Sequence, residues 1–366
     1  MTDSALLLGV VGFAAQIPSF FITPLAGVFA DKADRRSVLV TTQVVSMVVA
    51  LVTAVIIFTG HVTVNYIIIA SIVSGIANAI DNPFRHAFLV NMIDDRKDLP
   101  NAIALNSTMY NSARFIGPPI GGFLVAYAGE GICFLINGLS YIAVVTSLLS
   151  MKVKRFEKSK EESSVLGDLV GGLKYAYNTS HLRVLLLLVI IISLIGLPFQ
   201  VFMPVFAKDI LSGDSQTLGY LTGALGAGAL TGALLLANQS SITKFPSIIL
   251  ACALMFSIGL GAFTLSENLF ISMPALVITG FGMVVLFAAC NTLLQTMVEE
   301  NMRGRIVALY SMSFMGFTPI GSILLGSMTE IMSLQNTLLI TSSLCLLTAI
   351  WYYKHMSRIK RALKTN

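Results

Sequence analysis

Charge is scarce in this chain. Asp, Glu, Lys and Arg make up 11% of its 366 residues, against about 25% in an ordinary soluble domain. So few charges cannot solvate a water-facing surface, which excludes a soluble enzyme. No stretch is long and polar enough to form an aqueous domain beside a single membrane anchor. Histidine and cysteine are equally sparse. His61, His86, His181 and His355 are scattered, and Cys133, Cys252, Cys290 and Cys345 lie in four separate apolar runs. Neither a zinc site nor a disulfide framework fits that spacing, so no metal is expected and the cysteines read as small buried apolar residues. A Gly-x-x-x-x-Gly-Lys-Ser/Thr phosphate loop is missing, as is any nucleophile–His–acid set inside the apolar runs. Hence no catalytic residue, no cofactor and no ATP hydrolysis are expected. The net charge is +5, yet no basic face is interleaved with aromatics, which argues against nucleic acid. The opening Met1-Thr2-Asp3-Ser4 lacks the basic start of a cleavable signal.

What is abundant is apolar sequence: 55% of residues are hydrophobic and the mean hydropathy is +0.84. A membrane helix needs about 20 apolar residues, so this length holds about eleven spans. They fall at about 5–30, 38–59, 63–84, 102–128, 131–150, 183–206, 215–237, 246–265, 269–292, 305–330 and 335–353. Strands of a membrane barrel alternate over about ten residues, unlike these continuous runs. The expected fold is therefore an all-α membrane protein. Lys and Arg gather in alternate loops and in the tail from Lys354 to Lys364; only Lys208 reaches the other side, and Arg114 falls within a span. By the positive-inside rule the C-terminus is cytoplasmic, and an odd number of spans puts Met1 outside. The one long connection, 151–182, starts with Lys152, Lys154, Arg155, Lys158 and Lys160. It then repeats apolar residues at helical spacing (Val165, Leu166, Leu169, Val170, Leu173, Tyr177), the pattern of an amphipathic helix lying on a membrane surface. A solvated linker is the alternative.

The halves echo one another. Met92-Ile93-Asp94-Asp95 returns as Met297-Val298-Glu299-Glu300, and Pro119-Ile120-Gly121 as Pro319-Ile320-Gly321. This divides the chain into an N-terminal half (1–150, five spans), a linker (151–182) and a C-terminal half (183–366, six spans), as in transporters built from two related repeats. In this register the span at 183–206 has no counterpart before 5–30. The expectation is a chain lacking the first of twelve helices, through a mis-assigned start, a gene break or a real loss.

The loop Gly27-Val28-Phe29-Ala30-Asp31-Lys32-Ala33-Asp34-Arg35-Arg36 resembles the signature between the second and third helices of the major facilitator superfamily, with Asp34 in place of its second glycine. Ala113-Arg114-Phe115-Ile116-Gly117-Pro118-Pro119-Ile120-Gly121-Gly122 resembles that superfamily's antiporter motif. The run from Asp81-Asn82-Pro83-Phe84-Arg85 to Asn106, with Arg303-Gly304-Arg305-Ile306, looks like the enterobactin-exporter (transmembrane secretion effector) branch, which includes macrolide-efflux relatives. The resemblance implies a bundle of two pseudo-symmetric halves, alternating access, and export of a siderophore-like compound or drug. The antiporter motif implies coupling to an ion gradient, with H⁺ as the ion.

Several residues are candidates for the site. Gly27, Asp31, Arg35 and Arg36, with Asp81 and Arg85, would form a gating latch by resemblance; topology alone is the alternative for the arginines. Asp81 and Arg85 are spaced for a pair along one helix face, unless Asp81 joins the Arg35/Arg36 network or titrates during coupling. Gly117, Pro118, Gly121 and Gly122 permit close helix approach and a bend. An Arg at mid-helix costs about 2.5–3.5 kcal/mol on insertion scales, so Arg114 needs a cavity or a partner, and Asn106 and Asn111 share its helix side. Gln16, Asn78, Asn137, Gln200, Asn291 and Gln295 are further intramembrane amides; such groups bond neighbouring helices more often than cargo. Gln200 stands out beside Pro198. The expected function is a monomeric, proton-coupled exporter of a small molecule in a bacterial inner membrane, with substrate and lipid bilayer as its partners. A truncated, non-transporting membrane protein is the alternative.

Overall fold

A computed structural model describes residues 5–29, 33–93, 127–151, 165–239 and 241–365, with the single positions 102, 106, 109, 113, 117, 120, 121, 124 and 125. Among them are eleven long helices: α1 (Ala5–Phe29), α2 (Arg35–Phe58), α3 (Val64–Asn91), α4 (Glu130–Ser150), α5 (Val165–Asn178), α6 (Ser180–Ile191, continued to Ile210), α7 (Ser215–Ala237), α8 (Phe245–Leu265), α9 (Leu269–Thr296), α10 (Glu300–Thr329) and α11 (Leu334–Thr365). All except α5 are long and apolar enough to cross a membrane, giving ten candidate spans. The span expected at 102–128 falls largely outside the described residues; each described position within it is helical. The chain clusters into two compact units. One comprises Val10–Ala113 and Phe123–Val165, the other Met1–Gly9, Arg114–Gly122 and Leu166–Asn366.

In the first unit α1 packs on α3 at Gly75, where a side chain would collide with the Ala15 carbonyl. A small apolar cluster of Ala26, Leu39, Phe84, Phe88 and Leu148 joins α1 to α4. The sequence places the end of this span near residue 84, but α3 passes through Pro83 and continues to Asn91. Proline removes the donor that would serve the carbonyl four residues earlier. Here that carbonyl, Ala79, accepts a 3.3 Å hydrogen bond from Thr23 Oγ1 on α1, so the helix continues without an abandoned acceptor.

The second unit holds the larger apolar core, with Phe199, Phe202, Phe206, Phe256 and Phe263 fully buried. Close approach depends on glycine. A Cβ on Gly228 (α7) would strike the Val277 carbonyl of α9, and one on Gly280 (α9) would strike the Leu225 carbonyl of α7. Cys252, Cys290 and Cys345 are buried free thiols. Two bounds differ from sequence expectation. The α11 helix does not stop near residue 353 but runs to Thr365, because no Gly or Pro interrupts it and Tyr352 and Ile359 are fully buried along one side. The α6 span is longer and irregular: its α-helix passes into a π turn at Ile192–Gly196, a 3₁₀ segment at Leu197–Phe202 and a second π turn at Phe206–Ile210. Pro198 and Pro204, each lacking an amide proton, account for the broken register. On α5, Val170, Leu173 and Tyr177 form an exposed apolar stripe.

Asp214 caps α7 by accepting from the Thr217 and Gln216 amides at 3.0 Å each. The Thr217 amide, foremost among these bonds, holds its carboxyl below the usual carboxylate range. The cap is therefore complete above the ordinary Asp pKa and fades as pH falls through the depressed one. Two outcomes are expected. Gly228→Val should lower stability by about 3 kcal/mol in a thermal unfolding assay in detergent, whereas Gly304→Ala, whose added carbon meets nothing within 4 Å, should be neutral or raise it by up to about 1 kcal/mol. The difference in melting temperature between the wild type and Asp214→Ala should be present at neutral pH and shrink on acidification; a difference that grows instead would reverse the assigned sign.

Candidate functional site

Two polar clusters stand out, one in each unit. In the first, Asp81 on α3 is 5% exposed. A buried carboxylate is tolerable only when its lone pairs are occupied, and four donor atoms do this. Oδ1 accepts from Gln43 Nε2 at 2.7 Å and from Thr42 Oγ1 at 2.9 Å. Oδ2 accepts from Arg85 Nε at 2.9 Å and from Nη2 at 2.5 Å. The Thr42 hydroxyl also lies 2.9 Å from the Leu39 carbonyl, so its single proton is shared between two acceptors. The Asp81–Arg85 ion pair joins i and i+4 on one helix, with the guanidinium more than half exposed and the carboxylate buried.

Arg35 and Arg36 hold helix ends. Arg35 Nη1 donates to the Ala87 carbonyl of α3 at 3.0 Å, and Arg36 Nη2 donates to the Leu149 carbonyl of α4. Both meet backbone rather than Asp81, so the carboxylate's partners among the described residues are Thr42, Gln43 and Arg85. Asp34 stands where the family signature has glycine, and its backbone shows why: φ −67° and ψ 103° are open to any residue. Its carboxylate caps α2, accepting from the Arg36 amide at 3.3 Å and from Ser37 Oγ at 2.5 Å. Gly27 lies in α1, while Asp31 lies outside the described residues.

The second cluster is a stripe on α9. Met283, Phe287, Asn291 and Gln295 recur every fourth residue and so share one face. Gln295 Nε2 donates to Asn291 Oδ1 at 3.0 Å, and Gln200 Nε2 from the 3₁₀ segment reaches Met283 Sδ at 3.5 Å. On α10, the Tyr310 hydroxyl donates to the Phe287 carbonyl at 2.9 Å. The Tyr310 ring stacks parallel to Phe314 at 6.3 Å, and Phe314 meets Phe287 edge-on at 4.7 Å. Gln200, Asn291, Gln295, Tyr310 and Phe314 are half-buried. Gln200, Asn291 and Gln295 are recognisable from sequence as amides in apolar runs. Met283, Phe287, Tyr310 and Phe314 are not singled out that way, although the four-residue period on α9 is legible.

The antiporter-like segment is only partly described. Gly117 and Gly121 are helical, and a side chain at either would meet no atom of the described residues within 4 Å. A close approach is made at the repeat counterpart Gly321, whose Cβ would strike the Leu194 carbonyl and approach the Pro198 ring at the irregular turn of α6. Pro118, Gly122, Arg114 and Asn111 lie outside the described residues. Asn106 is helical and half-buried, Gln16 is half-buried on α1, and Asn137 is exposed on α4.

Comparison with known proteins agrees with this architecture. The family model described as transmembrane secretion effector matches residues 1–364. The staphyloferrin A transporter of Staphylococcus aureus is 24% identical over 364 residues, covering 99% of this chain and 89% of that protein. The multidrug efflux pump Tap of Mycolicibacterium fortuitum is 25% identical over 360 residues, covering 95% and 86%. Among solved structures, a D-xylose–proton symporter superposes with a TM-score of 0.75 at 15% identity, over 97% of this chain and 89% of that one, which shows the shared fold. The chain belongs to the transmembrane secretion effector family of the major facilitator superfamily, and it is a multi-pass membrane transporter rather than an enzyme.

Proposed function

We propose that this transporter exports a small amphipathic molecule, siderophore-like or drug-like, from a bacterial cell by alternating access, with inward proton flow driving export. The α9 stripe carries this reading. It offers stacking faces at Tyr310 and Phe314, a soft thioether at Met283 and amide donors and acceptors at Gln200, Asn291 and Gln295. Such a surface suits a cargo with flat apolar parts and dispersed carbonyl or hydroxyl groups. The names of its relatives, a siderophore transporter and a multidrug pump, support the same cargo classes, and their bacterial sources support an inner-membrane location. The weight of Lys and Arg in alternate loops and in the tail supports a cytoplasmic C-terminus. Asp81 is the proposed coupling or latch carboxylate, because it is buried yet tied to a half-exposed cation.

Efflux of a fluorescent amphipathic dye from cells lacking their own exporters tests the function. The wild type should lower dye retention, and collapsing the proton gradient should abolish the effect; retention equal to an empty-vector control would favour the non-transporting alternative. Tyr310→Ala should cut efflux by up to about tenfold at equal membrane level, since losing one stacked aromatic contact costs about 0.5–1.5 kcal/mol. The Asp81 pair should behave asymmetrically. Asp81→Asn removes the buried charge and leaves a guanidinium that water can reach, so it should reduce transport with little loss of folded protein. Arg85→Gln strands the buried carboxylate and should lower folded yield further, by about 1–3 kcal/mol of stability. Equal yields for the two variants would show that Arg85 does not stabilise the carboxylate.

A further inference from the structure

A further polar feature lies where the start of α8 meets the basic end of α11. Thr243, Lys244, Ser247, Ile248, Lys360 and Leu363 line a cavity of about 530 Å³ between the start of α8 and the end of α11. The Tyr352 hydroxyl, donating to the Pro246 carbonyl at 3.2 Å, fixes the two helices together beside it. Neither the Lys244 nor the Lys360 ammonium has an ion-pair or hydrogen-bond partner among the described residues, and the α11 end from Lys354 to Lys364 contains no acidic residue. Two uncompensated cations and two hydroxyls therefore converge on one cavity at the water-side end of two spans. The α8 wall then continues without a break into an exposed apolar stripe: Ala251, Ile258 and Leu265 follow Lys244 at seven-residue intervals.

We propose that this cavity binds an anionic phospholipid, with the phosphate held by Lys244 and Lys360 and an acyl chain laid along Ile248 and Ala251. The charge complements a phosphodiester, and the apolar wall distinguishes a lipid from free phosphate, which would have no use for it. Cations near an anionic leaflet contribute about 1 kcal/mol each, or about fivefold in affinity. The proposal does not depend on the cargo or on proton coupling.

Native mass spectrometry of the full chain in neutral detergent, offered equal phosphatidylglycerol and phosphatidylcholine, tests it. The wild type should retain phosphatidylglycerol preferentially. Lys244→Gln with Lys360→Gln should lower that preference about fivefold per lysine, while Lys244→Arg with Lys360→Arg should keep it. Ala251→Trp, which leaves both cations and fills the apolar wall, should also lose it. Lys354→Gln with Arg358→Gln removes two exposed charges that do not line the cavity, and should leave the preference unchanged. An undiminished preference in the double glutamine variant, or an equal loss from the Lys354/Arg358 variant, would overturn the proposal. So would displacement of the lipid by millimolar inorganic phosphate with Ala251→Trp behaving as wild type, which would mark a free-phosphate site.

Discussion

A bilayer offers no water to a backbone carbonyl, so every break in helical hydrogen bonding must be covered by the protein itself. That constraint explains where this chain departs from regular helix. Pro83 deprives the Ala79 carbonyl of its donor, and Thr23 supplies one from a neighbouring helix. Pro198 similarly deprives Leu194, and the break is placed against Gly321, the residue whose missing side chain lets α10 close over it. The π and 3₁₀ turns of α6 occur where Ile192, Gly196, Phe199 and Phe202 are buried in protein. Among the described residues, the Ser193 side-chain Oγ in the π turn is buried without a partner. An orphaned hydroxyl of this kind costs about 1–3 kcal/mol, so the irregular turn carries a penalty that a plain α-helix would avoid.

The same constraint governs the charged cluster. One counter-ion does not satisfy the buried Asp81 carboxylate, because desolvation of a carboxylate exceeds what a half-exposed guanidinium returns. Thr42 and Gln43, adjacent on α2, supply the remaining donors. The carboxylate thus joins α2 to α3 as well as closing a pair within α3. Arg35 and Arg36 add bonds from the start of α2 to the last turns of α3 and α4. Three helix ends are held by one short segment, and a movement that separated them would break several charge-assisted bonds together.

Much of this was legible in the residues because the bilayer makes patterning strict. Continuous apolar runs marked the spans, and the i, i+4 spacing of Asp81 and Arg85 marked their pair. What escaped has a common cause: it depends on the neighbour rather than on the segment. Pro83 reads as a helix end until Thr23 is seen to serve Ala79. The basic tail reads as loose until Ile359 is seen to be covered. Thr42 and Gln43 are ordinary helix residues until α3 brings a carboxylate against them. Asp34 looks like a defect in a glycine-dependent turn, yet an extended backbone there needs no glycine and gains a cap.

As the proposed cargo surface, the α9 stripe is neutral and polar, which suits a broad range of molecules. Asn291 and Gln295 satisfy each other through one bond, which leaves further amide donors and acceptors available on both. A cargo group that replaces that bond exchanges one hydrogen bond for another, so entry costs little and the match need not be strict. A full charge on the cargo would find no counter-ion among these side chains and would lose its hydration without return. On the proposed reading, selection at this stripe falls on shape and dispersed polarity, and the charges near Asp81 and at the helix ends act on conformation.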